Sequence, residues 1–98
     1  MRNFLLRRVV GQSMKPVLKN GQLVVVLAGK SVSEGDIVMA RVNSKEVIKR
    51  ALKLKGNNYW LEGDNKDAST DSRVTGWVNA EQLIGVVVLP RKRQKGII

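Results

Sequence analysis

Ile37-Val38-Met39-Ala40-Arg41-Val42, then Asn43-Ser44-Lys45, then Glu46-Val47-Ile48-Lys49-Arg50-Ala51-Leu52 is the stretch on which the fold turns. Two apolar, β-branched runs flank a short cluster of turn residues, which is the pattern of a β-hairpin. The first run is entered through Ser33-Glu34-Gly35-Asp36, another turn signal. Side chains alternate across a strand, so Val47, Lys49 and Ala51 share one face while Ile48 and Arg50 take the other. Lys49 is thereby placed among small apolar neighbours on the second strand of the hairpin.

The rest of the chain reads in the same way on both sides of this hairpin. Upstream, Leu23-Val24-Val25-Val26-Leu27-Ala28 is bounded by Gly21 and Gly29 and has the composition of a buried strand. Downstream, Lys55-Gly56-Asn57-Asn58 is a turn, and Tyr59-Trp60-Leu61-Glu62 is a strand that stops at Gly63. Residues 64–75 are polar. Trp77-Val78 resumes extended structure, Asn79 to Leu83 forms one helical turn capped by Asn79, and Ile84 to Leu89 is a last strand. Short strands at regular spacing with little helix predict a mainly β, antiparallel domain. At 98 residues there is material for one hydrophobic core.

Composition narrows the chemistry before any motif is considered. Apolar residues make up 43% of the chain and charged residues 27%, the balance of a globular protein. Cysteine and histidine are both absent. Thiolate metal sites and the commonest general base are therefore excluded, and any hydrolysis must rely on lysine or a carboxylate. The spacing of Asp64, Asp67 and Asp71, broken by Lys66, lacks the pattern of a calcium loop, so neither metal nor cofactor is expected. The net charge of +10 points to an anionic partner without choosing among nucleic acid, phospholipid and acidic peptide. Both halves are basic: residues 1–50 hold ten Lys/Arg against three acids and residues 51–98 hold eight against five.

The longest apolar run, Leu23 to Ala28, is far below the roughly 20 residues of a membrane-spanning helix. The expected location is the cytoplasm. Phe4-Leu5-Leu6, flanked by Arg2, Arg7 and Arg8, reads equally as a first strand or as a peripheral contact with an anionic membrane surface. Trp60 and Trp77 are expected to pack in the core and at its rim, since neither sits in an RNA-binding motif, and no specific nucleic acid is expected as a partner.

Gly11-Gln12-Ser13-Met14-Lys15-Pro16-Val17-Leu18 sets a serine between a permissive glycine and a proline, just ahead of the first strong strand. Such a turn can present a hydroxyl outward. A serine hydroxyl becomes an effective nucleophile only when a base takes its proton. A lysine can be that base only if burial lowers its pKa by several units from about 10.4. Met alone, Ser13 would be an ordinary turn serine and Lys49 an ordinary strand lysine.

The ordered set Gly11-x-Ser13-Met14-x-Pro16-x-Leu18, Gly35-Asp36-Ile37-Val38, Val47-Ile48-Lys49-Arg50, Gly63-Asp64-Asn65 and Ser69-x-Asp71-Ser72-Arg73 with Gly76 resembles the motif set of type I signal peptidases. The resemblance runs from about Gly11 to Gly85. It implies a Ser/Lys dyad on the small β-rich fold shared with the self-cleaving LexA-type repressors. Ser13 falls on the nucleophile and Lys49 on the general base. Ser69 falls on the serine that hydrogen-bonds the lysine, Asp71 and Arg73 fall on a structural ion pair beside the site, and Gly63 lies close to the dyad. The Ser13 N–H would be one oxyanion donor.

This sequence also departs from that pattern. Gly11 stands where the family often has a serine that serves as second oxyanion donor. Val17 replaces a threonine, and Gln22 replaces an acid expected after Gly21. Signal peptidases also carry a transmembrane anchor before the serine and an inserted domain between the lysine strand and Gly-Asp-Asn. Here 12 residues precede Ser13, and only residues 50–62 separate Lys49 from Gly63. A minimal form of this kind is most similar to the small proteases that mature nickel-type superoxide dismutase.

The sequence therefore predicts a basic and apolar segment over residues 1–10, a peptidase domain over 11–90 and a basic tail over 91–98. The expected activity is a serine endopeptidase that removes an N-terminal leader from a protein substrate. Two alternatives stand beside it. One is a catalytically silent basic module that binds peptide or nucleic acid. The other is self-cleavage, against which no helix-turn-helix segment or cleavable linker precedes the site.

Overall fold

A computed structural model of the chain describes residues 3–91; Met1, Arg2 and the tail from Lys92 onward lie outside the described residues. Among the described residues there are seven strands: β1 (Phe4–Arg8), β2 (Leu23–Ala28), β3 (Ile37–Val42), β4 (Lys45–Lys55), β5 (Asn58–Glu62), β6 (Val78–Asn79) and β7 (Leu83–Leu89). They form one antiparallel sheet in the order β1-β2-β7-β3-β4-β5-β6. The mainly β, antiparallel architecture predicted from the sequence is the one observed. Among the described residues no helix is long and apolar enough to cross a membrane.

The central hairpin pairs Ile37 with Arg50 at its base and Val42 with Lys45 at its tip. Its connection is shorter than the three-residue turn read from the sequence, because Asn43 and Ser44 alone make it. Both have positive φ, 51° and 66°, the twist that suits a two-residue hairpin. Lys45 is thereby released to start β4, which runs on to Lys55 instead of stopping at Leu52.

The sheet bends around its contents, so β3 is buried on both faces. Ile37 and Met39 join Val9, Met14, Leu18, Val24 and Val26 in one apolar cluster, while Val38 and Ala40 join Ala51, Leu61, Val78 and Val86 in another. Removing a side chain the size of Met14 or Leu18 from water is worth roughly 1.5–3 kcal/mol. Both are almost wholly enclosed, and this fixes the loop between β1 and β2 against the sheet.

Residues 1–10 supply β1, whose Leu5 packs against the first cluster while Phe4 and Leu6 stay exposed on its outer face. The polar stretch 64–75, read as loop, contains a 3-10 turn over Lys66–Ala68 and a single helical turn, α1 (Ser72–Thr75). Alternation of apolar residues cannot reveal elements this short. The Asn79 cap is present as expected: its side chain accepts from the Glu81 N–H, and Gln82 returns a bond to the Asn79 N–H. Trp60 and Trp77 stack edge to face with ring centroids 5.2 Å apart, and the Trp60 indole donates to Glu62.

Candidate active site

Ser13 lies in the loop joining β1 to β2. The neck of that loop is closed by paired bonds, Val9 N–H to the Gln22 carbonyl and Gly21 N–H to the Val9 carbonyl, at 2.8 and 2.7 Å. Met14 and Leu18 anchor it from below. From the side, the Asn65 N–H donates to the Ser13 carbonyl at 2.8 Å and its side-chain amide donates to the Gln12 carbonyl at 3.1 Å. The carbonyls on both sides of Ser13 are thus held by one residue distant in the chain, Asn65. Among the described residues neither the hydroxyl nor the backbone N–H of Ser13 is engaged in a hydrogen bond.

Gly11, two residues earlier, has φ of +92°, a backbone conformation that side chains resist. Its N–H donates to the Asn20 side chain at 2.8 Å and is therefore occupied. Of the two positions considered as oxyanion donors, only the Ser13 N–H is free.

Lys49 lies on β4 between Val47 and Ala51, which both belong to the second apolar cluster. Only 7% of it is exposed. Burial pushes its pKa down; the Asp71 carboxylate partly opposes this and the Arg73 guanidinium adds to it, and the outcome is a lysine below its ordinary value. Its Nζ donates to Ser69 Oγ at 3.0 Å. Ser69 in turn donates to Asp71 Oδ2 at 2.6 Å.

The direction of these bonds follows from Asp71. Burial alone would raise its pKa, but the Arg73 guanidinium, the Ser69 hydroxyl and the N–H groups of Gly63 and Arg73 outweigh that and hold the carboxyl well below the usual range. The bonds are short: Arg73 Nε to Oδ1 at 2.9 Å and Gly63 N–H to Oδ2 at 2.9 Å. An ionised carboxylate only accepts, so the single Ser69 proton is committed to it. Ser69 can therefore only accept from Lys49. A neutral Lys49 amine that spends one N–H on Ser69 keeps its lone pair for another proton.

Gly63 is where these pieces meet. A Cβ added there would lie 2.6 Å from the Ser13 carbonyl oxygen and 2.6 Å from Ser69 Cβ, far inside van der Waals contact. Only glycine lets the strand end pass between the Ser13 loop and the Ser69 segment.

Ser13 and Lys49 line one cleft of about 210 Å³, together with Arg7, Val9, Met14, Met39, Glu46 and Ile48. A second cavity, about 280 Å³, lies against Lys49 and Asp71 between β4 and α1 and does not reach Ser13. Both cavities touch Lys49, and the first is the one that also reaches Ser13.

Two contributions were not assigned from the sequence. Asn65 holds the Ser13 loop, and Arg50 grips Asp64 through two parallel bonds, 3.0 and 2.7 Å, while donating to the Gly35 carbonyl. Asp64, weighed as part of a cation loop, is thus half of a largely buried ion pair. The motif Gly63-Asp64-Asn65 was visible, but the partners of Asp64 and Asn65 lie elsewhere in the chain and no local spacing points to them.

Comparison with known proteins gives a consistent result. A family model described as Peptidase S24-like matches residues 2–88. The LexA repressor of Pasteurella multocida is 41% identical over 66 residues, covering 66% of this chain and 30% of the relative. The LexA repressor of Marinobacter nauticus is 38% identical over 63 residues, covering 63% and 31%. LexA repressor 1 of Pseudomonas syringae is 39% identical over 66 residues, covering 66% and 32%. The match thus spans about a third of the length of these curated relatives.

Proposed function

The chain belongs to the Peptidase S24-like family, and from that membership we propose that it is a serine endopeptidase with Ser13 as nucleophile and Lys49 as general base. The observation that carries this reading is the buried, pKa-depressed Lys49, tethered to Ser69 and lining the same cleft as the unengaged Ser13 hydroxyl.

In this reading the Lys49 lone pair takes the Ser13 proton as Oγ attacks the scissile carbonyl. The free Ser13 N–H faces the oxyanion that forms, a donor whose removal in comparable sites costs about 10²–10³ in rate. The protonated Lys49 then returns its proton to the departing amine, the C–N bond breaks, and the acyl group stays on Ser13. Water enters, Lys49 takes one of its protons, and hydrolysis of the ester frees the acid and restores Ser13. Asp71 and Arg73 act through Ser69, which fixes the amine, and do not touch the reacting atoms.

The substrate in this proposal is a protein with an N-terminal leader, and a nickel-type superoxide dismutase precursor is the candidate of choice. The similarity to repressors favours a second substrate, a segment of the same polypeptide. One experiment separates them. Purified protein is incubated alone and with the precursor, beside Ser13→Ala and Lys49→Ala variants, and the products are weighed by mass spectrometry. A single cut in the precursor, lost in both variants, supports leader removal. Cleavage confined to the chain itself and lost in Ser13→Ala supports self-processing. Cleavage that survives in both variants overturns the dyad.

A further inference from the structure

We propose that the Arg7–Glu46 ion pair reads the substrate, selecting a side chain that both donates and accepts hydrogen bonds about three residues from the scissile bond. The inference rests on the peptidase reading of the Ser13 cleft and adds to it a specificity element.

The sheet order leaves two strand edges open at this cleft. β1 is the terminal strand, paired only with β2, and β4 over residues 45–49 is paired only with β3, since its pairing with β5 begins at Arg50. Open edges offer unpaired backbone groups to an extended peptide. The side-chain pair that joins the two edges is Arg7 to Glu46, with Nε donating to Oε1 at 3.0 Å.

Both side chains turn toward the cleft. Arg7 sits opposite Val24 and, like Leu5, points to the inner face of β1, where the alternation of the strand would otherwise place an apolar residue. Glu46 shares its face of β4 with Ile48, and a second guanidinium, Arg41, approaches it at 3.5 Å. Apart from Arg8, Ser13 and Lys49, the rest of this cleft wall is apolar, from Val9, Val10, Met14, Met39, Val47 and Ile48. An ion pair therefore stands at one end of an apolar trough whose other end holds Ser13 and Lys49.

Spacing sets the position that is read. Glu46 is three residues from Lys49 and on the other face of β4, so an extended peptide beside β4 whose reacting residue lies opposite Lys49 brings the residue three positions away, the fourth before the cut or the third after it, against the pair. An aliphatic side chain there would cover two charges and replace none of their water contacts. A cation would meet two guanidiniums, Arg7 and Arg41, against one carboxylate, and an anion would compete with Glu46 for Arg7. An amide does neither: its oxygen accepts from Arg7 while its N–H donates to Glu46.

The test uses fluorescent peptides spanning the mapped cut, with Gln or Leu at the fourth residue before the cut or the third after it, in two assays. One measures binding to the Ser13→Ala chain, which needs no catalysis; the other measures kcat/KM of the active chain. At one of the two positions Gln should be favoured over Leu by roughly tenfold, the scale of one satisfied against one unsatisfied buried polar contact. Arg7→Leu/Glu46→Leu should reverse that preference, and the conservative Glu46→Gln should keep it; thermal melts of each variant report folding. Equal binding of the two peptides, or a preference unchanged in the double variant, overturns the proposal. Selective binding with cleavage that persists in the Ser13→Ala chain would instead retain it and overturn the peptidase reading of Ser13.

Discussion

Lys49 Nζ lies 3.0 Å from Ser69 Oγ, and Ser69 has already committed its proton to Asp71, so the amine must donate and its lone pair is left over. In the proposed dyad Ser69 is therefore a positioning residue for the base. Ser69→Ala should lower kcat by about 10²-fold with little change in KM, the cost of a misplaced reacting group. Ser69→Thr, which keeps the hydroxyl, should recover part of the loss. Stopped-assay kinetics on the three proteins check this, and an unchanged kcat in Ser69→Ala would remove Ser69 from the site.

The pH dependence follows from the protonation state that Lys49 needs. The proposed mechanism requires the neutral amine, so kcat/KM should rise with pH through the depressed Lys49 pKa. The Arg73 charge helps hold that pKa down, so Arg73→Met should move the acid limb of the profile to higher pH. Stability has a linked signature. Between its folded pKa and its ordinary value of 10.5, Lys49 binds a proton only when unfolded, so stability attributable to it grows as pH rises across that window and is lost as pH falls through the folded pKa. Lys49→Met should raise the urea midpoint at neutral pH and flatten this dependence, which denaturation curves at several pH values would show.

How much of this was legible in the sequence depends on the range of each interaction. The hairpin, the buried strands and the Asn79 cap are written in local alternation and spacing, and all appear. The faces of β4 follow from period two, which is why Val47 and Ala51 flank Lys49 on the same apolar cluster. What local pattern cannot carry is pairing at a distance. Asn65 holding the Ser13 loop, Arg50 holding Asp64, and Arg7 meeting Glu46 across 39 residues depend on how the sheet brings separate strands together. The single turn of α1 was missed because four residues are too few to show a helical period.

Asp71 should be a larger determinant of stability than of substrate binding. Its carboxylate is buried and accepts from Ser69, Arg73 and the Gly63 N–H. Asp71→Ala leaves the Ser69 and Gly63 donors unpaired, and should cost about 2–3 kcal/mol of unfolding free energy at neutral pH. Because the folded carboxyl titrates below its ordinary value of 3.8, this contribution is fully present above that value and is lost as pH falls through the folded pKa. The gap between the two proteins in urea denaturation should therefore stay constant from pH 7 to pH 5. A gap that closed within that range would mean the carboxyl is not held ionised by these partners.

Gly63→Ala tests the packing of the site without changing any charge. The added methyl would sit 2.6 Å from the Ser13 carbonyl and 2.6 Å from Ser69 Cβ, between the Ser13 loop and the segment that tethers Lys49. Two outcomes are open to the structure, and both separate Ser13 from Lys49. If the Ser13 loop yields, the Asn65 N–H to Ser13 carbonyl bond stretches; if the Ser69 segment yields, Lys49 loses its tether. Overpacking of this kind costs roughly 1–3 kcal/mol, so the variant should fold with a lowered Tm while kcat/KM falls by about 10²-fold or more. Ser69→Gly in the Gly63→Ala background opens space on one side only. It should restore Tm more than activity, because it relieves the clash and still leaves Lys49 without its partner. Full recovery of kcat/KM in that double variant would show that crowding of the Ser13 loop, and not loss of the Ser69 contact, limits the single variant.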